Sequence, residues 1–394
     1  MEENKIVKLS DVCDLIPGFA FKSSEFGEHQ TKAVKIGDIQ PPYVNYASMA
    51  GVDVTKYTLS KLAKYEIHKG DFVLAMTGAT IGKIGRYISN TGAYINQRVL
   101  KFKPHEDVNS DFIYYIVSST SFQKYILNNV DSETAQPNIS AGSVGKYEFE
   151  LPSLEEQNRI ADILVSLDNK IQLNRQINDN LEQQAQNIFN HYFIESQTEL
   201  GPYSEGFLTD IAVYLNGLAM QKFRPEGSDS GLPVLKIKEL GQRTCDNNSD
   251  RCSSVIKDEY IVNDGDVIFS WSGTLLVDLW CGGKCGLNQH LFKVTSDSYP
   301  TWFYYFWTKH HLDNFIRVAK DKAVTMGHIK RTELEKANVI IPSQEKLSEI
   351  DKILSPIIDG IITHRVEMRR LAQLRDSLLP ELMSGELNIN EIDC

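Results

Sequence analysis

The chain has 394 residues, 42% of them hydrophobic and 24% charged, with a formal net charge of −11. That length admits about two to three domains, and the composition is that of a soluble globular protein. No apolar run is long enough to span a bilayer and no basic-then-apolar signal opens the chain, so a cytoplasmic protein is expected rather than a membrane-spanning or secreted one.

In chain order, Leu9-Ser-Asp-Val12 opens a first segment. Lys35-Ile-Gly-Asp-Ile39 and Lys69-Gly-Asp-Phe-Val-Leu74 follow, then Ile95-Asn-Gln-Arg-Val-Leu100 and Phe112-Ile-Tyr-Tyr115. Short β-branched and aromatic runs near 71–76, 84–88 and 94–102 predict strands joined by glycine turns. A helix is expected at 110–128, opened by Ser110-Asp111, with Phe112, Ile116, Phe122 and Ile126 on its inner side.

From Pro152 to Phe193 the spacing predicts one long helix. Ser153 and Glu156 form a capping box, and Glu155 suits the positive end of the helix dipole. Ile160, Leu164, Leu167, Ile171, Leu181, Ala185, Ile188 and Tyr192 keep one apolar stripe in steps of four and three, interrupted by Asn174 and Asn178. Such a helix would be about 60 Å long and needs a partner to cover its stripe. Gly201-Pro202 marks its far limit, and 195–207 carries the weak signal of a linker.

The whole plan then repeats. Leu208-Thr-Asp-Ile211, Lys236-Ile-Lys-Glu-Leu240, Asp264-Gly-Asp-Val-Ile-Phe269, Leu287-Asn-Gln-His-Leu-Phe292 and Trp302-Phe-Tyr-Tyr305 echo the first series, at an offset drifting from 199 to 190. This is an internal duplication of about 190 residues. The second long helix carries Ile350, Leu354, Ile357, Ile361, His364, Met368, Leu371, Arg375, Leu378 and Leu382 on the matching ladder, after Pro342-Ser343. Gly385 suits a C-terminal cap, and Pro356 is expected to kink this helix or delay its regular start by a turn. Two matched stripes in one chain predict a helix pair. The resulting division is 1–152, a mixed α/β domain; 153–195, a central long helix; 196–341, a second mixed α/β domain; and 342–394, a distal long helix.

Net negative charge argues against nucleic acid unless it is localised. Residues 1–150 carry 16 Lys+Arg against 17 Asp+Glu, and residues 201–340 again carry 16 against 17. The helical stretches 151–200 and 341–394 carry 3 against 8 and 6 against 10. Both α/β domains are therefore near neutral, and either can present a basic face.

Sequence motifs for catalysis are weak. Gly78-Ala-Thr-Ile-Gly82-Lys83 has three residues between glycines where a phosphate loop needs four, and Ile84 where a magnesium-reaching hydroxyl is required; a tight turn is the better account. Gln40-Pro-Pro-Tyr43 resembles the tetrapeptide of amino-methyltransferases, but Gln is too long for the amine-binding place and no G-x-G turn precedes it. No H-E-x-x-H, G-x-S-x-G elbow or kinase set occurs, and no catalytic residue or metal site is assigned. Cys245, Cys252, Cys281 and Cys285 cluster in the sequence, yet the first gap is too long for a zinc knuckle, so reduced, partly buried thiols are expected.

What remains is a set of polar, basic and aromatic residues at equivalent places in the two copies. In the first these are Lys22, Lys35, Gln40, Tyr43, Asn45, Tyr57, Lys83, Arg86, Arg98 and Asn138. In the second they are Gln221, Lys222, Arg224, Lys236, Lys238, Gln242, Arg243, Asn247, Asn248, Arg251, Lys284, His328, Lys330 and Arg331. Arg, Lys, Asn and Gln read guanine and adenine edges in the major groove, and aromatic rings pack on sugars or thymine methyls.

The ordered, duplicated pattern resembles the specificity subunit of type I restriction-modification systems: an L-S/T-D-[VI] start, a G-D strand, an N-Q strand and an [LI]-P-S-x-E closure before each long helix. The resemblance covers nearly the whole chain. It implies two target-recognition domains of mixed α/β fold, separated by two long antiparallel coiled-coil helices with pseudo-twofold symmetry. It further implies a non-catalytic subunit that reads a bipartite, asymmetric site in double-stranded DNA. Two modification subunits would bind S-adenosylmethionine and methylate adenine N6, and restriction subunits would use ATP and Mg. A type IIB-like or methylation-only system, and a scaffold that binds proteins and reads no DNA, are the alternatives.

Overall fold

The computed structural model describes residues 5–130, 137–321 and 329–383. The chain divides into two compact units, residues 1–168 with 374–394, and residues 169–373. Both are mixed α/β, and eight strands of the first have counterparts in the second.

The first unit contains β1 (Lys5–Lys8), β2 (Cys13–Pro17), β3 (Phe26–Val34), β4 (Phe72–Ala75), β5 (Ile84–Arg86), β6 (Ala93–Ile95), β7 (Val99–Pro104) and β8 (Glu148–Leu151). The second contains β9 (Tyr203–Phe207), β10 (Val213–Asn216), β11 (Leu232–Leu235), β12 (Val267–Ser270), β13 (Leu276–Leu279), β14 (Cys285–Leu287), β15 (Leu291–Thr295) and β16 (Asn338–Pro342). Sheet order β2–β7–β4–β5 in one is matched by β10–β15–β12–β13 in the other, and in the first the short strands Tyr43–Val44 and Ile39–Gln40 extend the sheet beyond β5. A second sheet in each is centred on a parallel pair, β3–β6 or β11–β14. The first and last strands of each unit pair antiparallel, Lys5 with Leu151 and Tyr203 with Pro342. The stretch 195–207, read as a linker, therefore ends in a strand. Its side chains are mostly exposed, so backbone pairing holds it and hydrophobic periodicity could not reveal it.

Strands expected near 71–76, 84–88 and 94–102 are β4, β5 and the pair β6–β7. The helix expected at 110–128 is two helices, α1 (Ser110–Ser118) and α2 (Thr120–Asn128). Asn109, rather than Ser110, caps the first by accepting the Phe112 N–H at 2.9 Å. Ser119 breaks the run because its hydroxyl accepts the Phe122 N–H at 3.2 Å and starts a new helix. Phe112, Ile116, Phe122 and Ile126 are all buried, together with Phe72 and Phe102.

The central long helix, α3 (Leu154–Asn190), has the predicted start. Glu156 N–H donates to Ser153 Oγ at 3.3 Å while Ser153 N–H donates to the Glu156 carboxylate at 3.3 Å. It ends in a π turn, His191–Glu195. In the second unit the helices α4 (Ile237–Gln242), α5 (Thr301–His310) and α6 (Leu312–Asp321) precede the distal long helix, α7 (Gln344–Met383). Ser343 caps α7 by accepting the Lys346 N–H at 3.3 Å. Pro356 does not delay α7, which is already helical from Gln344. Pro356 and Lys352 are both exposed, so water can satisfy the carbonyl that the proline leaves without a donor. Gly385 lies outside the described residues.

Within each unit the long helices run antiparallel. In the first, Ile160, Ala161 and Leu164 share a core with Leu378, Leu379 and Leu382. In the second, Asn174 Nδ2 donates to Glu367 at 2.7 Å, Asn178 Nδ2 donates to the Ile361 carbonyl at 3.1 Å, and Asn178 Oδ1 lies 3.1 Å from His364 Nδ1. Ile160, Leu164, Ile350, Leu354 and Ile361 are buried, whereas Leu167, Ile171, Leu181, Ile188, Ile357, Met368, Leu371 and Leu378 are half-buried, as expected where two helices cover one face only.

Toward the C-terminus of α3 the buried positions move on by one residue. Phe189 and Phe193 are fully buried while Ile188 and Tyr192 are half-buried. A straight helix drifts about 20° per heptad from a 3.5-residue repeat, so after about four heptads the next residue faces inward. Those two rings join Trp302, Phe303, Phe306 and Trp307 of α5, each worth roughly 2 kcal/mol of burial.

Arg365 ties α7 to both α3 and the sheet of the second unit. Its Nη2 donates to Glu182 at 2.6 Å, and its Nη1 to Asp278 at 2.9 Å and the Leu279 carbonyl at 2.8 Å. Its side chain is 6% exposed and that of Asp278 is 5%. Arg365→Leu is expected to lower stability by about 3 kcal/mol in urea unfolding of the intact chain, because it leaves a buried carboxylate short of a partner. Lys170→Ala, which removes an exposed 3.9 Å pair with Glu367, should change it by less than about 0.5 kcal/mol.

Candidate nucleic-acid interface

Each unit contains a tight turn on which four chain segments converge. In the first, Asn96-Gln97-Arg98 joins β6 to β7, closed by the Val99 N–H donating to the Asn96 carbonyl at 3.1 Å. Gln97 N–H donates to the Phe19 carbonyl at 2.8 Å, Asn96 N–H to Val34 at 3.0 Å, and Met76 N–H to Arg98 at 2.9 Å. Ile139 N–H in turn donates to Met76 at 3.0 Å. The approach of the chain after β2 requires glycine, since a Cβ on Gly18 would lie 2.1 Å from the Asn96 carbonyl oxygen.

The second unit repeats this turn with Asn288-Gln289-His290. Leu291 N–H donates to Asn288 at 3.0 Å, Asn288 N–H to Leu235 at 3.2 Å, Trp271 N–H to His290 at 3.4 Å, and Ile329 N–H to Trp271 at 3.2 Å. Gly217 stands where Gly18 did, with a Cβ position 2.3 Å from the Asn288 oxygen. The geometry is duplicated, but the side chains differ: an exposed arginine in one turn, a half-buried histidine in the other.

Around the first turn lies an aromatic platform. Phe19 packs edge-on against Phe21, Tyr57 and Tyr65 at 4.8, 4.9 and 5.2 Å, with the Lys61 ammonium 5.6 Å from the Phe19 ring. Tyr57 donates to Glu25 at 2.9 Å, and that bond raises the Tyr57 pKa above its ordinary value. Glu25 in turn accepts the Lys22 N–H at 2.9 Å, which lowers its own pKa. Lys35 sits 3.6 Å over Phe26. Lys22, Lys35, Tyr57, Arg98 and Asn138 thus belong to the turn and the platform.

The other five predicted residues of this unit form a separate group. Tyr43 pairs with Arg86 across parallel strands, and Asn45 Nδ2 donates to Gln40 at 3.3 Å. The Arg86 guanidinium lies 3.9 Å over the Tyr114 ring and pairs with Asp111 at 2.5 Å. Lys83 lines a cleft of about 420 Å³ with Pro41, Pro42, Tyr115, Asp168 and Arg375.

In the second unit several predicted residues are held by the fold. Lys236 pairs with Asp250, Arg243 Nε donates to Asp278 at 2.6 Å, and Arg251 donates to the Ser230 and Gly231 carbonyls at 2.7 and 2.6 Å. Gln221, Lys222, Arg224, Lys238, Gln242, Asn247, Asn248, Lys284, Lys330 and Arg331 are exposed. His328 lies outside the described residues. Sequence reading passed over Trp271, and over Gln97, Gln289 and His290 although the repeated Asn-Gln pair that placed these three had served as a marker of the duplication.

The model of the type I restriction modification DNA specificity domain matches this chain twice, over residues 1–183 and 202–370. The chain belongs to that family. The specificity subunit of the MjaIX type I restriction enzyme of Methanocaldococcus jannaschii is 24% identical over 371 residues, covering 88% of this chain and 84% of that protein. The specificity subunit of the HindI enzyme of Haemophilus influenzae is 21% identical over 405 residues, covering 82% and 88%. The type I S subunit of M. genitalium shares the fold, with a TM-score of 0.60, 14% identity and 97% of each chain covered. Each of the two family matches contains one of the two turns.

No described helix of this specificity-family chain is long and apolar enough to cross a membrane. Among the described residues, no group of three His, Cys, Asp or Glu side chains is placed to hold a metal. Cys13, Cys245, Cys252, Cys281 and Cys285 are free, and all but Cys245 are buried. Burial pushes Cys281 up to about 11 and Cys285 well above its ordinary range, whereas the hydrogen bond from Cys285 lowers Cys245. Because the thiolate is the nucleophile, iodoacetamide at about pH 8 is expected to label Cys245 before the other four. Peptide mass mapping of the folded chain checks this, and faster labelling of Cys281 or Cys285 would contradict it.

Proposed function

We propose that this chain is the specificity subunit of a DNA-modifying complex, reading a bipartite, asymmetric site in double-stranded DNA through one turn and its surrounding surface in each unit. The observation that carries the reading is the turn itself. The same four-segment geometry occurs twice with different side chains, Arg98 exposed in one and His290 half-buried in the other, which suits two readers of two different half-sites. Loops fixed on a rigid scaffold are where such recognition is placed.

By this reading none of the chain's residues is catalytic. Methylating adenine N6 requires the base to leave the stack and enter a pocket that holds the methyl donor. Two modification subunits binding S-adenosylmethionine supply that pocket, and restriction subunits using ATP and Mg complete the complex. The near-neutral α/β domains leave much of the phosphate neutralisation to those partners. A methylation-only or type IIB-like complex would use the same chain in the same way.

Methylome sequencing of a host with and without the gene tests the reading directly, and an identical methylome in both would overturn it. Replacing residues 1–152 by the matching segment of a relative is expected to change one half-site of the methylated motif and leave the other intact. A folded chimera that changes both halves would contradict independent readers.

α3 is the chain's covalent link between the two readers, so its length should set the spacer between half-sites. Four residues inserted near Asn174 add about 6 Å of helix, equivalent to one or two base pairs of B-DNA at roughly 3.4 Å each. Four is also the insertion that a coiled seam absorbs by local unwinding. The variant is expected to methylate unchanged half-sites with a spacer longer by one or two base pairs. Activity at the original spacer would show that the helix does not set it.

A further inference from the structure

Among the described residues, two that are not glycine adopt a left-handed backbone, Arg98 (φ 69°) and Arg243 (φ 58°). Arg243 has a task within the fold: it terminates α4, and its guanidinium holds the buried Asp278 at 2.6 Å. Arg98 has no comparable task. Its side chain is exposed, and its hydrogen bond to the described residues is a long one, Nη1 to Asn138 Oδ1 at 3.4 Å.

Glycine would adopt this backbone without strain. Nor does the turn require it, because His290 closes the equivalent turn of the second unit without a positive φ. The first unit therefore keeps an arginine in a strained conformation from which its own packing gains little. Strain of this kind persists where the direction of a side chain matters to something outside the fold.

We propose that Arg98 is a base-reading residue of the first unit, addressing the O6/N7 edge of a guanine in the major groove. This rests on the specificity reading above and goes further by assigning one residue to one base. The planar guanidinium matches that edge with two parallel hydrogen bonds, which demand a fixed direction. The backbone supplies that direction, since Asn96, Gln97 and Arg98 are each anchored to a neighbouring segment. A phosphate contact would not call for such a backbone, because the exposed Lys22, Lys61 and Lys64 offer charge from ordinary conformations.

The test is methylome sequencing of the complete complex carrying the wild-type chain, Arg98→Gly or Arg98→Lys, with thermal unfolding of each purified chain. Glycine removes the side chain and relieves the backbone at once, so reading and folding separate. For Arg98→Gly the expected result is loss of guanine preference at one position of one half-site, a preference of about 5- to 150-fold in the wild type. The other half-site stays unchanged and the melting temperature is equal or higher. Arg98→Lys is expected to keep a weaker guanine preference at the same position. An unchanged motif overturns the proposal, as does uniformly weaker methylation of the same motif, which marks a phosphate contact. Relaxation of both half-sites, or a lowered melting temperature with loss of the motif, also overturns it. A wild-type complex that methylates no defined motif would overturn the specificity reading as well, whereas a wild-type motif unaltered by Arg98→Gly would overturn this assignment alone.

Discussion

A buried guanidinium holds the second unit's helices to its sheet. Arg365 reaches from α7 to Glu182 on α3 and to Asp278 on β13, with almost no water around it. Ionic contacts in such a place contribute little net stability, since removing both charges from water offsets most of their attraction. They instead penalise every other arrangement, because a helix shifted by one turn would leave a buried charge unpaired. The first unit uses a looser version, in which Arg375 donates to Asp168 at 2.7 Å and Tyr115 donates to the other Asp168 oxygen at 2.7 Å. Both ionic side chains there are 22% exposed.

The polar rungs of the helix seam act in the same sense. Asn174 and Asn178 are buried among apolar neighbours, and each finds a partner on α7. A seam of leucine and isoleucine alone would tolerate sliding, whereas amides that must meet Glu367, Ile361 and His364 allow one register.

Much of this architecture is legible in the residue pattern, for identifiable reasons. Both long helices carry stripes that repeat over many turns, and the capping box at Ser153 and Glu156 is a local signal needing no tertiary context. The duplication is legible because it recurs in order. The interface is less so. Arg243 and Arg251 resemble Arg98 in sequence, being basic residues in polar loops, and only three-dimensional neighbours distinguish an arginine committed to Asp278 or to loop carbonyls from one left outward. The left-handed backbone at Arg98 was equally hidden, since nothing adjacent in sequence demands it. Phe189 and Phe193 replaced the expected Ile188 and Tyr192 because helical drift accumulates too slowly to show within one heptad.

The strand pairs that open and close each unit have a consequence for how such a chain changes over time. With Lys5 opposite Leu151, and Tyr203 opposite Pro342, everything between them is a loop whose ends are stitched side by side. Length gained or lost inside that loop shifts neither stitch, so insertions are absorbed locally. The two copies have accordingly drifted apart in spacing while each long helix still begins two or three residues after its closing strand. A recombination event with crossovers at the two stitches would bring in a foreign segment already in frame with the helix that follows. New sequence preferences can thus arise in a single genetic step, provided the newcomer packs against the helix residues that share its core, Ile160 and Leu164 in one unit and Phe189 and Phe193 in the other.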